Sequence, residues 1–142
     1  MEYKFSDLTK NIIHCFYKVY NKLGYGFLEK VYENSLKFEL ESKNYKVESQ
    51  KPIKVYYREQ LVGEYFADLV VDDKIIIELK ANKFLSPEDD AQILNYLKAT
   101  KYEIGLILNF GIKPEIRRKI YSLPEKQKNI RTHIKVDLTD IH

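Results

Sequence analysis

Several features that would fix a function class are scarce or missing in this chain of 142 residues. Its single cysteine, Cys15, excludes an intrachain disulfide, and its place on an apolar helical stripe favours a buried, inert thiol over a nucleophile. No apolar run approaches the roughly 20 residues that span a bilayer, and the charged start MEYKFSDLTK is unlike a signal peptide. We therefore expect a cytoplasmic protein with no membrane partner.

The sequence also has no internal repeat, low-complexity tract or glycine-rich phosphate loop, and His14 has no second His or Cys at ligand spacing. Its length suits one domain over residues 1–142. The net charge is only +3, yet from Lys98 onward 10 Lys/Arg stand against 5 Asp/Glu. This asymmetry fits either a basic face presented to a polyanion or a solvated tail.

The stretch from Leu61 to Ala81 sets ionisable residues inside two apolar runs. The runs, Tyr65 to Val71 and Lys74 to Leu79, are rich in β-branched and aliphatic residues, and the pair Asp72-Asp73 separates them. This pattern predicts an antiparallel hairpin. Its odd-numbered positions make one wholly aliphatic face, formed by Leu69, Val71, Ile75, Ile77 and Leu79.

The length of the hairpin loop decides whether the ionisable residues Asp68, Glu78 and Lys80 share a face, because all three stand at even positions. A plain two-residue turn would pair Asp68 with Ile77 and send Glu78 to the opposite side. A three-residue loop or a bulge would bring Asp68 level with Glu78. We predict the three-residue loop or the bulge.

Two carboxylates and an ammonium on a partly buried sheet face suit a hard divalent cation and a phosphodiester. The carboxylates supply oxygen ligands for Mg²⁺. The lysine can position or deprotonate a metal-bound water, or offset charge that builds on the phosphate. A salt-bridged surface without a ligand, with Lys80 paired to Asp68 or Glu78, is the structural alternative.

Two amphipathic helices are predicted before the hairpin, the first ending within Asn21 to Gly26 and the second running from about Phe27 to Ser42. Glu29 lies beside the apolar stripe of the second helix. The helix dipole alone would account for an acid there, and a role at a metal is the other interpretation. Two short strands should follow, separated by Pro52 at an edge or a bend: Tyr45 to Gln50 and Ile53 to Tyr57.

A helix should begin after the hairpin, with Ser86 as the N-cap, Pro87 in the first position and Asp89 completing a capping box. It should continue to about Thr100. Gln92 and Tyr96 lie one turn apart on it. They could point an amide and a phenol at a phosphate, a base edge or Lys80, or form ordinary helix surface.

The remaining segments favour strands. Glu103 to Phe110 is almost continuously apolar, which predicts an interior strand reached by a parallel crossover. Glu115 to Tyr121 is compatible with a strand or a short helix. Residues 124–142 form a C-terminal extension with a plausible edge strand, in which Ile134, Val136 and Leu138 alternate with polar residues.

An acid on one strand and E-x-K on the next, here Asp68 and ELK (78–80), resembles the PD-(D/E)XK nuclease superfamily, although Ala67 stands in place of the leading proline. The stretch GFLEKVY (26–32) resembles the name-giving motif of the GxxExxY protein family, a branch of that superfamily. The stretch QILNY (92–96) resembles the Gln-xxx-Tyr helix motif of RecB-type nucleases. The resemblance runs from about residue 16 to about residue 120.

This resemblance implies a single-domain, restriction-endonuclease-like α/β fold, with a mixed sheet of about five strands flanked by helices. It favours a strand for residues 115–121. It also implies roles for individual side chains: Asp68, Glu78, Lys80 and Gln92 as catalytic; Glu29, Asp68, Glu78 and the Leu79 main-chain carbonyl as metal ligands; Tyr32 and Tyr96 as substrate-orienting; and Arg117, Arg118 and Lys119 as contacts to a nucleic-acid backbone.

We therefore predict a nuclease that depends on Mg²⁺ or Mn²⁺ and hydrolyses phosphodiester bonds of DNA, with RNA as the second choice. The alternative is a non-catalytic module that keeps the nuclease fold and binds nucleic acid or protein. The weak positive charge favours this alternative slightly, because dedicated nucleic-acid binders carry a stronger basic footprint. A homodimer is compatible with both interpretations.

Overall fold

A computed structural model of the chain describes residues 5–124 and 126. Its strands form one sheet in the order β1-β2-β3-β4-β5, in which β3 and β4 run parallel and the other neighbours antiparallel. This arrangement confirms the predicted α/β class with a mixed five-stranded sheet flanked by helices. The elements are α1 (Ser6–Leu23), α2 (Glu29–Ser42), β1 (Val47–Tyr57), β2 (Gln60–Val71), β3 (Ile75–Lys80), α3 (Pro87–Lys98), β4 (Ile104–Phe110) and β5 (Pro114–Ile120).

The aliphatic face predicted for the hairpin forms the floor of the main core. Its five side chains, Leu69, Val71, Ile75, Ile77 and Leu79, are each at most 1% exposed and pack in one cluster with α1 and α2. Burying one such side chain stabilises the fold by about 1.5–3 kcal/mol. A slip of one residue would carry the whole set to the other side of the sheet, so this face fixes the register of the hairpin.

The loop before α2 depends on two glycines. Gly24 and Gly26 have φ angles of 66° and 112°, a region in which residues with a Cβ are strained. Because this loop occupies residues 24–28, α2 begins at Glu29, two residues after the approximate start predicted at Phe27. Glu29 therefore stands in the first turn of α2, where the positive end of the helix dipole favours a carboxylate.

The crossover from β3 through α3 to β4 has the predicted form. Ser86 and Asp89 make the capping box, with the Ser86 N–H donating to Asp89 Oδ2 at 2.9 Å. α3 packs closely on β4, since a Cβ on Gly105 would stand 2.6 Å from Ile93 Cδ1. The interior strand β4 is buried along its whole length, as predicted for residues 103–110.

The two edge strands of the described sheet, β1 and β5, give one correction and one confirmation. β1 is a single strand through Pro52 and not the two short strands predicted on either side of it. An edge strand tolerates proline because every second N–H points away from the ladder. β5 confirms the strand expected at residues 115–121. The strand expected around residues 134–138 lies outside the described residues.

The β1–β2 hairpin extends beyond the rest of the sheet. β3 pairs with β2 only from Leu69 to Val71, whereas β1 follows β2 over almost its whole length. The extension, residues 51–57 and 60–67, is here named the hairpin arm. Its register shifts between Val55 and Tyr56, and Val55 itself pairs with Gly63. A glycine inside a strand is common at such a bulge.

Candidate metal and catalytic centre

The turn between β2 and β3 brings the two predicted metal-binding carboxylates together. The pairs Leu69–Ile77 and Val71–Ile75 leave a three-residue loop, residues 72–74. Continued by one residue, the same register sets Asp68 opposite Glu78. The predicted three-residue loop is therefore confirmed. Asp68 and Glu78 lie close enough for the charge of Asp68 to act on Glu78.

Asp68 lies where β2 parts from β3. Its Oδ2 accepts a hydrogen bond of 2.8 Å from the Leu79 N–H, and the strand pairing ends there. Ala67 and Val70 both belong to the cluster beneath α3, although residues three apart in a regular strand face opposite sides. β2 therefore changes face at Asp68, and the carboxylate points along the edge of the sheet toward β3.

Glu78 is almost fully buried beside Asp68, with 4% of its surface exposed. Burial, and after it the neighbouring charge of Asp68, raises the pKa of Glu78 to about 9. The buried Oε1 atom has no hydrogen-bond partner among the described residues. A buried acceptor without a partner is rare and costs free energy, so this oxygen marks a place where a cation or a solvent molecule would be favourable.

Lys80 extends the centre toward α3. Its Nζ donates to Gln92 Oε1 at 2.9 Å and lies 3.7 Å from Asp89 Oδ1. Asp89 closes the capping box of α3 with its other oxygen. The ammonium is thus held between a helix cap and an amide, with 18% of its side chain exposed. The sequence predicted Asp89 only as part of the capping box, and its contact with Lys80 was not predicted.

Gln92 and Tyr96 form the far wall of the centre, on α3. Gln92 Nε2 donates to Tyr96 Oη at 3.1 Å, while its carbonyl oxygen accepts from Lys80. Burial raises the pKa of Tyr96, and the charge of Glu78 adds to this effect. The phenol therefore keeps its proton at neutral pH. The predicted pair is brought into one hydrogen-bonded chain with Lys80.

Glu29 faces the centre from the N-terminus of α2. Its side chain is exposed, yet the pKa of Glu29 is raised above its usual value, chiefly by partial desolvation. The Lys80 ammonium opposes this increase, and the charge of Asp68 adds to it. These influences mean that Glu29 lies within electrostatic range of both groups. It is not hydrogen-bonded to either in the described structure, so it stands at the rim of the carboxylate pair.

Two residues that the sequence did not single out, Glu33 and Gln50, complete the acidic side of the centre. Glu33 is 4% exposed, and its Oε1 accepts a 2.8 Å hydrogen bond from Gln50 Nε2. The same Gln50 nitrogen lies 3.2 Å from Asp68 Oδ1. Gln50 therefore bridges α2 and β2. The sequence could have indicated Glu33, because it lies one helical turn after Glu29 and so on the same face of α2. No sequence pattern indicated Gln50, whose position depends on its φ of 51°.

Tyr32 is not brought to the centre. Its ring is fully buried and stacks on Phe110 with centroids 4.1 Å apart. Its hydroxyl donates to the Gly24 carbonyl at 2.6 Å and accepts from the Phe27 N–H at 3.2 Å. Tyr32 therefore braces the loop before α2 and, lying below the surface, has no path to a substrate. It supports Glu29 only through that loop.

The basic residues of β5 are engaged within the fold. Arg117 Nη1 lies 2.6 Å from Asp90 Oδ2, and Lys119 Nζ lies 3.3 Å from the other oxygen of the same carboxylate. These ion pairs fasten β5 to α3. By strand alternation Arg118 faces the other side of the sheet from this pair. Contact of these three residues with a nucleic-acid backbone stays a prediction.

The oxygen donors fit a hydrated Mg²⁺ or Mn²⁺ better than a cage made of protein alone. Within residues 5–124 and 126, no three His, Cys, Asp or Glu side chains converge tightly enough to hold a metal ion. The centre instead offers Asp68, held by the Leu79 N–H, and the buried Oε1 of Glu78, which has no partner in the described part of the chain. The Leu79 carbonyl stays a predicted ligand. Mg²⁺ commonly takes one or two carboxylates and keeps several waters, so this donor set suits it.

A comparison with protein-family models matches residues 6–119 to the PD-(D/E)XK nuclease superfamily. The match contains every residue of the centre and ends just short of the C-terminus of β5. No curated protein and no solved structure matches the chain. None of the helices in the described part of the chain combines the length and the apolar character that a membrane crossing needs.

Proposed function

The chain belongs to the PD-(D/E)XK nuclease superfamily, and from this we propose that it is a divalent-metal-dependent nuclease that hydrolyses phosphodiester bonds, with DNA as the preferred substrate over RNA. The observation that carries the proposal is the unpartnered, buried Oε1 of Glu78 next to Asp68. A buried pair of carboxylates without a cation is unfavourable, because each raises the cost of ionising the other. The narrower assignment to the GxxExxY family belongs to the same proposal.

Asp68, Glu78 and the Leu79 carbonyl would hold Mg²⁺ or Mn²⁺, with Glu29 as a further ligand from the rim. Such an ion supplies Lewis-acid stabilisation of phosphate charge and a water of lowered pKa. The Leu79 N–H fixes Asp68 Oδ2 through its 2.8 Å bond, and Oδ1 accepts from Gln50 Nε2 at 3.2 Å. The chain thus orients one carboxylate with its own backbone.

Lys80 would position the attacking water and offset charge on the phosphate. Its ammonium is held by Gln92 and Asp89, so it enters the centre from a fixed direction. Gln92 has an amide nitrogen that now donates to Tyr96, and Tyr96 has a hydroxyl proton to donate. These two donors are suited to a non-bridging phosphate oxygen.

Glu33 and Gln50 would act as positioning residues. Gln50 donates to Glu33 and to Asp68, so the buried Glu33 sets the place of the amide that restrains Asp68. Outer contacts of this kind hold metal-binding carboxylates in one orientation. Loss of Glu33 should therefore weaken metal binding without removing a ligand.

The proposal is tested by incubating labelled oligonucleotides with Mg²⁺, with Mn²⁺ and with chelator. Cleavage should require the metal and should fall about 100-fold or more in Lys80→Ala. Lys83→Ala is the matched control, because Lys83 is an exposed lysine in the adjoining loop. Equal cleavage with metal and with chelator, or full activity of Lys80→Ala, would reject the proposal.

The second candidate, a non-catalytic binding module, is favoured by the pairing of Arg117 and Lys119 with Asp90, which neutralises part of the basic face. It predicts salt-sensitive binding that survives Asp68→Asn and yields no cleavage product with either metal. DNA and RNA of equal length and sequence, compared in the same assay, decide the substrate.

A further inference from the structure

A groove of about 470 Å³ adjoins the centre, between α3 and the hairpin arm. Gln92 and Tyr96 belong to its lining as well as to the hydrogen-bonded chain from Lys80. The rest of its wall is largely apolar, with Val55 from β1 and Ala91 and Ala99 from α3 and its C-terminal end. Grooves that bind small organic groups have this size and this apolar character. The groove is therefore continuous with the proposed catalytic site.

Tyr65 supplies an aromatic wall to the groove. Half of its surface is exposed, and its ring lies 5.8 Å from that of Tyr96 at an angle of 42°. Gly63 makes room for it, since a Cβ at that position would stand 3.3 Å from Tyr65 Cε2. An exposed aromatic ring beside a phosphate-binding site is a typical platform for a nucleobase, because every base has a face that can stack.

We propose that this groove holds one unpaired nucleobase next to the scissile phosphate, so that the enzyme acts on single-stranded or locally unpaired nucleic acid. This inference rests on the proposed function. In a duplex the bases are stacked and paired inside the helix and cannot enter a groove between a helix and a hairpin. A single strand offers its bases for stacking on aromatic side chains.

The polar residues of the groove favour a base over a phosphate. Glu88 lines it and would repel a phosphate, whereas Asn95 offers an amide that can both donate to and accept from a base edge. Lys98 also lines the groove, so its charge is balanced by that of Glu88 and the lining has no excess positive charge to hold a phosphate. We expect the phosphate of a bound base to lie at the Gln92 and Tyr96 end of the groove, which joins the hydrogen-bonded chain from Lys80.

The test measures binding of a single-stranded oligonucleotide that carries the fluorescent base 2-aminopurine, in chelator, and cleavage of matched single-stranded and duplex DNA in Mg²⁺. Tyr65→Ala should reduce the quenching of 2-aminopurine and weaken single-strand affinity by about 5- to 150-fold, the range of one base–aromatic stack. Tyr65→Phe keeps the ring and should stay near wild type. Tyr57→Ala is the matched control, because Tyr57 is an equally exposed tyrosine of the same hairpin arm outside the groove.

The outcomes separate this inference from the function on which it rests. Binding that depends on Tyr65, without cleavage of any substrate, would keep the groove and reject the nuclease. Faster cleavage of duplex than of single-stranded DNA, or single-strand binding that is unchanged in Tyr65→Ala, would contradict the proposed base-binding groove without contradicting the proposed nuclease function.

Discussion

Substituting Glu78 by glutamine should change how the stability of the metal-free protein depends on pH. Burial raises the pKa of Glu78 from its ordinary 4.5 to about 9. Between these values the folded protein keeps a proton that the unfolded chain releases, so stability is full below pH 4.5 and is lost progressively as the pH rises toward 9. The amide introduced by Glu78→Gln does not titrate, so the variant should lack this loss.

The size of the effect follows from linkage. One proton retained by the folded state costs at most about 1.4 kcal/mol of unfolding free energy per pH unit. Between about pH 5.5 and about pH 7.5 the wild type should therefore lose up to about 2.7 kcal/mol more than Glu78→Gln. Urea unfolding in chelator at several pH values measures both proteins. All other titratable groups are the same in the two proteins, so the difference between their two slopes isolates Glu78.

Asp68→Asn provides a second arm of the same experiment. The charge of Asp68 is the next cause of the raised pKa after burial, so its removal should move the titration of Glu78 to lower pH. The pH range over which Glu78 lowers the unfolding free energy should then begin and end at more acidic values. Parallel slopes for wild type and Glu78→Gln over the whole range would refute the reasoning, because Glu78 would then not be a buried carboxyl that resists ionisation.

Three further substitutions test the scaffold by urea unfolding. Gly105→Ala should lose about 1–3 kcal/mol, since its Cβ would meet Ile93 at 2.6 Å, and an unchanged free energy would contradict this close packing. Tyr32→Phe keeps the stacked ring but loses the bond to Gly24, at a cost of about 1–2 kcal/mol, and a wild-type value would show that the loop is not braced there. Burial alone would raise the pKa of Asp73, but its hydrogen bonds and ion pairs outweigh this effect and lower the pKa to about 2. The stabilisation that ionised Asp73 gives is therefore fully present above pH 3.8 and is lost as the pH falls toward 2. Asp73→Asn should accordingly flatten the acid limb of the stability curve, and an identical limb would contradict it.

The sequence predicted the parts of the fold in which local chemistry and burial agree. The alternation of the hairpin predicted one buried aliphatic face, and a three-residue loop or a bulge was predicted to set Asp68 level with Glu78; the structure has the three-residue loop. Ser86, Pro87 and Asp89 specified the start of α3 through their own backbone bonds. These features could be predicted because they depend only on residues close in sequence or on one buried face.

The features that sequence reasoning missed depend on distant contacts. Gln50 reaches Asp68 and Glu33 only because β1 pairs with β2 and α2 lies over both. Tyr32, expected near the substrate, is instead buried against Phe110, which lies far away in sequence. Pro52 did not interrupt its strand because that strand is an edge, and edge position is set by the whole sheet. No local pattern carries this information.

Calorimetric titration with Mg²⁺ and with Mn²⁺ tests the central claim most directly, which is that Asp68 and Glu78 together bind one divalent cation. The wild type should bind one ion and release protons on binding, since the buried Glu78 must ionise. Asp68→Ala should bind at least about tenfold more weakly, and Glu64→Gln, which alters an exposed acid on the same strand, should bind like the wild type. Equal affinity in wild type and Asp68→Ala would contradict the account.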